Sequence, residues 1–460
     1  MMRRRLMVLS LAALVVAALL VGLALGGKPE ESTRDGWQIS VAVDREDGLY
    51  QAGETVTFTV RVTKDKQPVT VGEAAYEITL NGTKGQAGGK VKLAADGGKV
   101  PVVTPKDQPW CLMLVARYKP ADGAEIKAEV GAVAGAEKLK PSVAAPEDFD
   151  AFWAEQKKKL AAVPMNARLT PVPPPIASMA EQIECFDVQL DCLGGAPVSG
   201  YFARPKGAKP HSCPAIISFH GAGAHSSGLP GPAGAALRGR LGMDINAHGS
   251  PNGKPEEFYK ELLATGALKE YWFRGIDNRD TCYFLGMYLR LVRAMEFLTS
   301  QPEWDGRTLI TTGSSQGGAQ AIVAAGLDGR VTVVNASLPA LCDLTGQAAD
   351  RAPGWPIGSR KLSAAELSTL RYFDVSNFAA RTKATAVIRV GLVDRTCWPA
   401  GVLAMCNRLQ GDKHMVTSPV SGHAYSPPED YAKASKVFDA VLEAILAKAR
   451  ADAPGENKKP

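Results

Sequence analysis

Thr308-Leu309-Ile310-Thr311-Thr312-Gly313-Ser314-Ser315-Gln316-Gly317-Gly318, continued by Ala319-Gln320-Ala321-Ile322-Val323-Ala324-Ala325-Gly326-Leu327, joins an apolar strand, a turn and a helix in direct succession. Thr308 to Thr312 reads as a short buried strand and Gly317 to Leu327 as a helix of small residues. Between them lies G-x-S-x-G, Gly313 to Gly317. In that setting the pattern is a nucleophile elbow, a sharp strand-to-helix turn that holds the Ser315 hydroxyl clear of a sheet. The turn brings backbone close on both sides of the serine, where only glycine fits. An ordinary glycine-rich connection has no need of glycine in both places.

The flanking chain repeats the strand–helix alternation. Pro214 to Phe219 is a short buried strand, and Leu285, Tyr288, Leu289, Val292 and Met295 have helical spacing. After the elbow come strands at Val331 to Val334, Ala384 to Val390 and His414 to Ser418. Val437, Phe438, Val441, Leu442 and Ile445 mark a final helix. Glu147 to Leu160 is an amphipathic helix with Phe149, Phe152 and Trp153 on one side. This alternation implies an α/β class with a mainly parallel sheet covered by helices on both faces. Its limits are about residues 145 and 450, and 451–460 form a polar tail.

Residues 36–138 follow a different period. Trp37, Ile39, Val41 and Val43 alternate with polar or small residues, as do Val56, Phe58, Val60 and Val62, and Tyr76, Ile78 and Leu80. Turn signals at Gly48, Gly53, Asn81-Gly82 and Gly97-Gly98 separate them at sandwich-like intervals. Asn81-Gly82-Thr83 is formally a glycosylation sequon, but a hairpin turn explains Asn-Gly better. A small β-sandwich-like accessory domain is expected, either a packing module or a carbohydrate-binding surface.

Residues 1–26 read as a signal peptide: basic Met1-Met2-Arg3-Arg4-Arg5, an apolar run from Leu6 to Leu25, and small residues around Ala24-Leu25-Gly26. The run is about 20 residues, enough to span a bilayer, so an uncleaved segment would act as a membrane anchor. Either way the remainder is expected to be exported. The 460 residues are 45% hydrophobic and 22% charged, which excludes collagen, disorder and a multi-pass membrane protein. Lys and Arg total 53 against 47 Asp and Glu, a formal +6. No basic stripe is interleaved with aromatics, so a nucleic-acid partner is not expected. The 8 cysteines lack metal-ligand spacing and read as buried free thiols. Cys185 and Cys192 read as sharing one strand, on opposite faces.

A serine nucleophile needs a base, and the hydrolase order is Ser, then Asp or Glu, then His. Of 6 histidines only His414 and His423 follow Ser315. His414 begins a strand, whereas His423 sits in the glycine-containing loop Ser421-Gly422-His423-Ala424-Tyr425, from which an imidazole can reach the elbow. The acid is expected to be Asp394, at the carboxyl end of the strand Val387 to Val390. Asp343 is the alternative, although a helix N-cap suits it better. An oxyanion hole needs two backbone N–H groups. Gln316 follows the nucleophile, and Ala222 lies in the early loop His220-Gly221-Ala222-Gly223, with His220 as a structural brace. His248, Trp398 and Tyr425 are candidates for substrate contact, with Trp355 a weaker one. Ser250 to Asp280 is expected to form a cap over the site.

With those residues in place the chain resembles the acetyl xylan esterase and cephalosporin C deacetylase family (carbohydrate esterase family seven), of α/β-hydrolase fold. The likeness runs from about Ala145 to Ser426. It rests on Pro146-Glu147-Asp148-Phe149-Asp150-Ala151-Phe152-Trp153, on Gly200-Tyr201-Phe202-Ala203-Arg204-Pro205-Lys206-Gly207 and on Ser314-Ser315-Gln316-Gly317-Gly318. Leu338-Pro339-Ala340-Leu341-Cys342-Asp343, Gly391-Leu392-Val393-Asp394 and Gly422-His423 complete it. The family's Arg-Gly-Gln-Gly stands here as Asn246-Ala247-His248-Gly249, and Ala222 replaces its oxyanion-loop tyrosine. The β module is an addition to the pattern. The resemblance implies Ser315, Asp394 and His423 as the triad, with acetyl groups removed from short xylo-oligosaccharides or related small esters through an acyl-enzyme. It implies no metal or organic cofactor, and a homo-oligomer as the assembled form. A membrane is a partner only if the N-terminal segment stays uncleaved. Two other readings remain: a serine peptidase or other small-ester hydrolase of the same fold, and a non-catalytic carbohydrate-binding protein.

Overall fold

The computed structural model describes residues 32–451 apart from 84 and 122. The expected signal peptide and most of the polar tail lie outside the described residues. Among the described residues no helix is long and apolar enough to cross a membrane.

The first ten strands are Thr33–Arg34 (β1), Trp37–Val43 (β2), Leu49–Tyr50 (β3), Thr55–Lys64 (β4), Gln67–Pro68 (β5), Glu73–Leu80 (β6), Gly85–Lys92 (β7), Gly98–Val103 (β8), Trp110–Tyr118 (β9) and Ile126–Ala134 (β10). They form two sheets, one ordered β1-β2-β4-β5 with β8 also on β4, the other β3-β10-β9-β6-β7. Period-2 side chains from both meet in one core. Ile39, Phe58, Val60 and Val62 face Ala74, Ile78, Leu114 and Val130, all at most 3% exposed. The sandwich-like expectation agrees with this layout. Asn81 and Gly82, at φ 52° and 74°, turn the β6–β7 hairpin, and the Asn81 carboxamide accepts the Cys111 N–H at 3.0 Å.

The second layer system is a sheet of Arg168–Pro171 (β11), Ile183–Leu190 (β12), Val198–Pro205 (β13), Cys213–Phe219 (β14), Leu241–Ile245 (β15), Trp304–Ser314 (β16), Val333–Ser337 (β17), Thr385–Gly391 (β18) and Lys413–Ser418 (β19). Its order is β11-β12-β13-β15-β14-β16-β17-β18-β19. Pairing is antiparallel from β11 to β15 and parallel from there to β19. This is an α/β-hydrolase sheet. Its parallel strands read as apolar runs because helices cover both faces.

The helix Gln316–Leu327 is buried along nearly its whole length. Its small residues let the backbone come close: a Cβ on Gly326 would sit 2.6 Å from the Phe378 carbonyl oxygen. On the opposite face, Leu442 of Pro428–Ala451 packs with Ile310 and Val333. The helix Phe149–Ala161 sets Phe149, Phe152 and Trp153 among Tyr288, Tyr372, Phe373 and Phe378. All eight cysteines are buried free thiols. Cys192 lies past the end of β12, so it does not share that strand with Cys185.

Candidate active site

β16 stops at Ser314 and the next helix starts at Gln316, leaving Ser315 alone on the turn at φ 56°, ψ −123°. A non-glycine residue holds such a conformation only when its surroundings impose it. Here the Ser315 N–H donates to the Ser337 carbonyl at 2.9 Å, and its carbonyl accepts the Ala319 and Ala340 N–H groups at 3.0 Å each. A Cβ on Gly317 would lie 2.0 Å from the Phe219 carbonyl oxygen, and one on Gly313 2.4 Å from the Gly317 carbonyl carbon. Both glycines of the motif are therefore steric requirements of the turn.

His423, in the loop after β19, presents Nε2 to Ser315 Oγ at 2.9 Å and Nδ1 to Asp394 Oδ2 at 2.8 Å. An ionised carboxylate only accepts, so the proton sits on Nδ1 and Nε2 is free to accept the serine hydroxyl. Asp394 is fully buried after β18, and its Oδ1 accepts the N–H groups of Thr396 at 2.8 Å and Cys397 at 2.7 Å. Three donors thus fix the carboxylate. The Cys397 thiol joins this cluster, its sulfur within 4.8 Å of ligand atoms of Asp394 and His423. Burial raises its pKa far above the ordinary thiol value, which keeps it protonated.

Asp343 is committed elsewhere. Its oxygens accept the N–H and Oγ–H of Ser142 at 2.7 and 2.8 Å and pair with Arg351 at 2.8 Å. It ties the joint between the two layer systems to the sheet and does not cap a helix. The cap of Val375–Ala379 is Asp374, whose carboxyl burial pushes up to about 6.

On the other side of the serine, β14 ends at Phe219 and His220–Gly223 turn past it. A Cβ on Gly221 would be 3.8 Å from Ser315 Cβ. Two neutral histidines hold this loop from behind. His220 donates from Nδ1 to the Gly221 carbonyl at 2.6 Å and accepts the Ala247 N–H on Nε2 at 3.0 Å. His248 donates from Nε2 to the Gly223 carbonyl at 3.0 Å and accepts the Tyr283 hydroxyl on Nδ1 at 2.8 Å. Burial lowers the two pKa values to about 4 and about 3. With both nitrogens engaged and 6% exposure, His248 braces the loop, and the expectation that it contacts substrate is corrected.

Trp398 is half-buried where the two layer systems meet, and a Cβ on Gly82 would come within 2.6 Å of its ring. That contact takes up part of the ring. Tyr425 is 41% exposed, two residues from His423. Trp355 packs on Trp272 at 5.6 Å.

Tyr271 went unnoticed in the sequence. It lies in the short turn Tyr271–Phe273 of the expected cap and is fully buried. Its hydroxyl donates to Gln316 Oε1 at 2.5 Å and accepts the Gly223 N–H at 3.4 Å, so it bridges the two walls beside Ser315. Nothing local marks it among Tyr271-Trp272-Phe273, because its partner is 45 residues away. Gln316 Nε2 is buried without a hydrogen-bond partner among the described residues.

Residues 135–438 match the family model described as acetyl xylan esterase (AXE1). An acetyl esterase of Xylanibacter ruminicola is 30% identical over 390 residues, 84% of this chain and 86% of that protein. An alignment covering that share of the chain extends into the β module. The structure of an acetyl xylan esterase from Paenibacillus sp. R4 superposes with a TM-score of 0.57 at 27% identity, covering 68% of this chain and 98% of that one. Acetyl xylan esterase 1 from Thermoanaerobacterium sp. JW/SL YS485 shares the fold, with a TM-score of 0.56 over 66% of this chain and 96% of that one, at 24% identity. The chain is a carboxylic ester hydrolase of α/β-hydrolase fold and belongs to the acetyl xylan esterase family.

Proposed function

We propose that this is an exported serine esterase that removes acetyl groups from carbohydrate, with Ser315 as nucleophile, His423 as base and Asp394 as the orienting acid. The observation that carries the reading is the unbroken hydrogen-bond line from Asp394 through His423 to Ser315, at 2.8 and 2.9 Å. Ser315 Oγ attacks the acetyl carbonyl as its proton passes to His423 Nε2. Asp394 holds the imidazole in the needed tautomer and stabilises the imidazolium. The backbone N–H groups of Gln316 and Ala222 receive the oxyanion, each such donor being worth about 10²–10³ in rate. His423 then gives that proton to the departing sugar oxygen, which leaves as a hydroxyl, and water activated by the same imidazole releases acetate from the acyl-enzyme.

Tyr425 supplies an exposed ring for a sugar beside the base. Residues 36–138 are the accessory domain, 145–450 the catalytic domain, and 1–26 the export signal. The discriminating experiment is acetate release from acetylated xylo-oligosaccharides and from p-nitrophenyl acetate, with Ser315→Ala as control. Activity on both, reduced by several orders of magnitude in the variant, is the expected result. Activity on the small ester alone removes xylan as the substrate, and an active Ser315→Ala removes the mechanism.

A further inference from the structure

Three glycines of the β module meet the other layer system where no side chain fits. Gly131 lies within β10, and a Cβ there would be 2.2 Å from the carbonyl oxygen of Leu392 and 2.5 Å from its carbonyl carbon. Glycine inside a strand weakens it and marks a close backbone approach. Beside it, a Cβ on Gly48 would come 2.7 Å from Leu392 Cδ1 and 3.1 Å from Pro419 Cγ. Gly82, at the hairpin tip, presses on Trp398.

Polar contacts follow the same line. The Gly131 N–H donates to the Pro419 carbonyl at 2.7 Å, Thr417 Oγ1 to the Asp47 carbonyl at 2.8 Å, and the Ala352 N–H to the Asn81 carbonyl at 2.9 Å. Arg395 pairs with Glu129 at 2.7 Å.

Most of these contacts land on two segments. Leu392, Arg395 and Trp398 belong to the loop that carries Asp394, and Thr417 and Pro419 lead into His423. The Val393 N–H joins the segments by donating to the Ser421 carbonyl at 3.2 Å. Both follow the last two strands, and β19 is the sheet's edge, so among the described residues no further strand supports them from that side.

Resting on the assignment of His423 and Asp394 as base and acid, we infer that the β module is a positioning element of the active site, setting through Gly131, Gly48 and Gly82 where the Asp394 and His423 loops sit. Catalytic groups tolerate little displacement, about 1 Å costing on the order of 10²-fold in rate.

The test is Gly131→Ala in the full chain, with active serines titrated by a fluorophosphonate. Expected is a fall of about tenfold or more in kcat per titrated site on p-nitrophenyl acetate, with KM within about twofold. The acid limb of the kcat/KM profile should also move to lower pH, because a carboxylate drawn away from the imidazolium lowers the histidine pKa. A purely structural role would reduce the titrated fraction and leave both readouts unchanged. Val71→Ser, at an 82% exposed residue of the same module, should match the parent.

Should Gly131→Ala not fold, Glu129→Lys places a like charge against Arg395 and should shift the same readouts by a few-fold, with Arg395→Glu restoring them. Unchanged kcat per site and an unchanged acid limb in the folded module variants overturn the inference. Asp394→Asn and His423→Ala separate the two claims. If they stay active, the catalytic assignment fails. If they are inactive while the module variants are unaffected, only the positioning role fails.

Discussion

Replacing Tyr271 with phenylalanine removes one oxygen from the wall behind the Ser315 elbow. That hydroxyl donates to Gln316 Oε1 and receives the Gly223 N–H, and Gln316 Nε2 is already unpaired. In the variant the buried carboxamide has no partner at either end. A buried polar group stripped of its bond costs about 1–3 kcal/mol. Over a cooperative unit of roughly 300 residues, at about 2.1 cal/mol/K per residue, that lowers Tm by about 2–5 °C.

The kinetic effect has a ceiling, since deleting one oxyanion donor outright costs about 10²–10³ in kcat. Loosening the Gln316 and Gly223 walls while both donors survive should cost less, about 5–50-fold, mainly in kcat. Steady-state kinetics on p-nitrophenyl acetate beside a thermal melt measure both quantities. A variant with the lowered Tm and a kcat within twofold of the parent would refute the link between Tyr271 and the oxyanion walls.

Gly317→Ala drives a methyl group into the Phe219 carbonyl, 2.0 Å away, and should lower activity by about 10²-fold or more, since about 1 Å of displacement already costs that much. Wild-type turnover by a folded variant would contradict the steric account. Asp343→Ala leaves the Arg351 guanidinium, 8% exposed, without its carboxylate and should cost about 3–5 kcal/mol in urea unfolding. Asp244 is half-buried in β15, and desolvation pushes its carboxyl up to about 6. Its protonated form is favoured in the fold, so the stabilisation is complete below the unfolded value near 3.8 and is lost as pH rises through about 6. That displacement is worth at most about 3 kcal/mol. Asp244→Asn, which can still accept from Gly228 and bond Ser218, should therefore flatten the fall in stability between about pH 4 and 6, and an unchanged slope in unfolding titrations would count against it.

The elbow was legible because local sterics wrote glycine on both sides of one serine. The parallel strands were legible because two covered faces require apolar runs, though their ends shifted by up to four residues, as at Trp304–Ser314 against Thr308–Thr312. The order of Ser315, Asp394 and His423 selected three side chains that meet in the structure. Harder to see was β11, exposed at all four positions and paired on one side only, which leaves no apolar signature. The surroundings of Asp343, His248 and Trp398 were illegible for a common reason. Each sits near a motif in the sequence, but its partners, Ser142, Gly223 and Gly82, come from distant segments that no local pattern announces. The β module itself was readable as a sandwich, while its contact with Leu392 was not, because a glycine in a strand looks like a weak strand until its neighbour is known.

Under the export proposed above, the eight buried thiols bear on how the protein survives outside the cell. The native chain has no covalent cross-link, so folding needs no oxidase and a reducing cytosol can yield the active protein. Unfolding in an oxidising medium is another matter. Eight thiols exposed together have on the order of a hundred complete pairings, all of them foreign to the native chain, and any one can trap it. Durability outside the cell is then a rate set by the barrier to first opening, and heat inactivation should depend on scan rate in air and become more reversible when reductant is added.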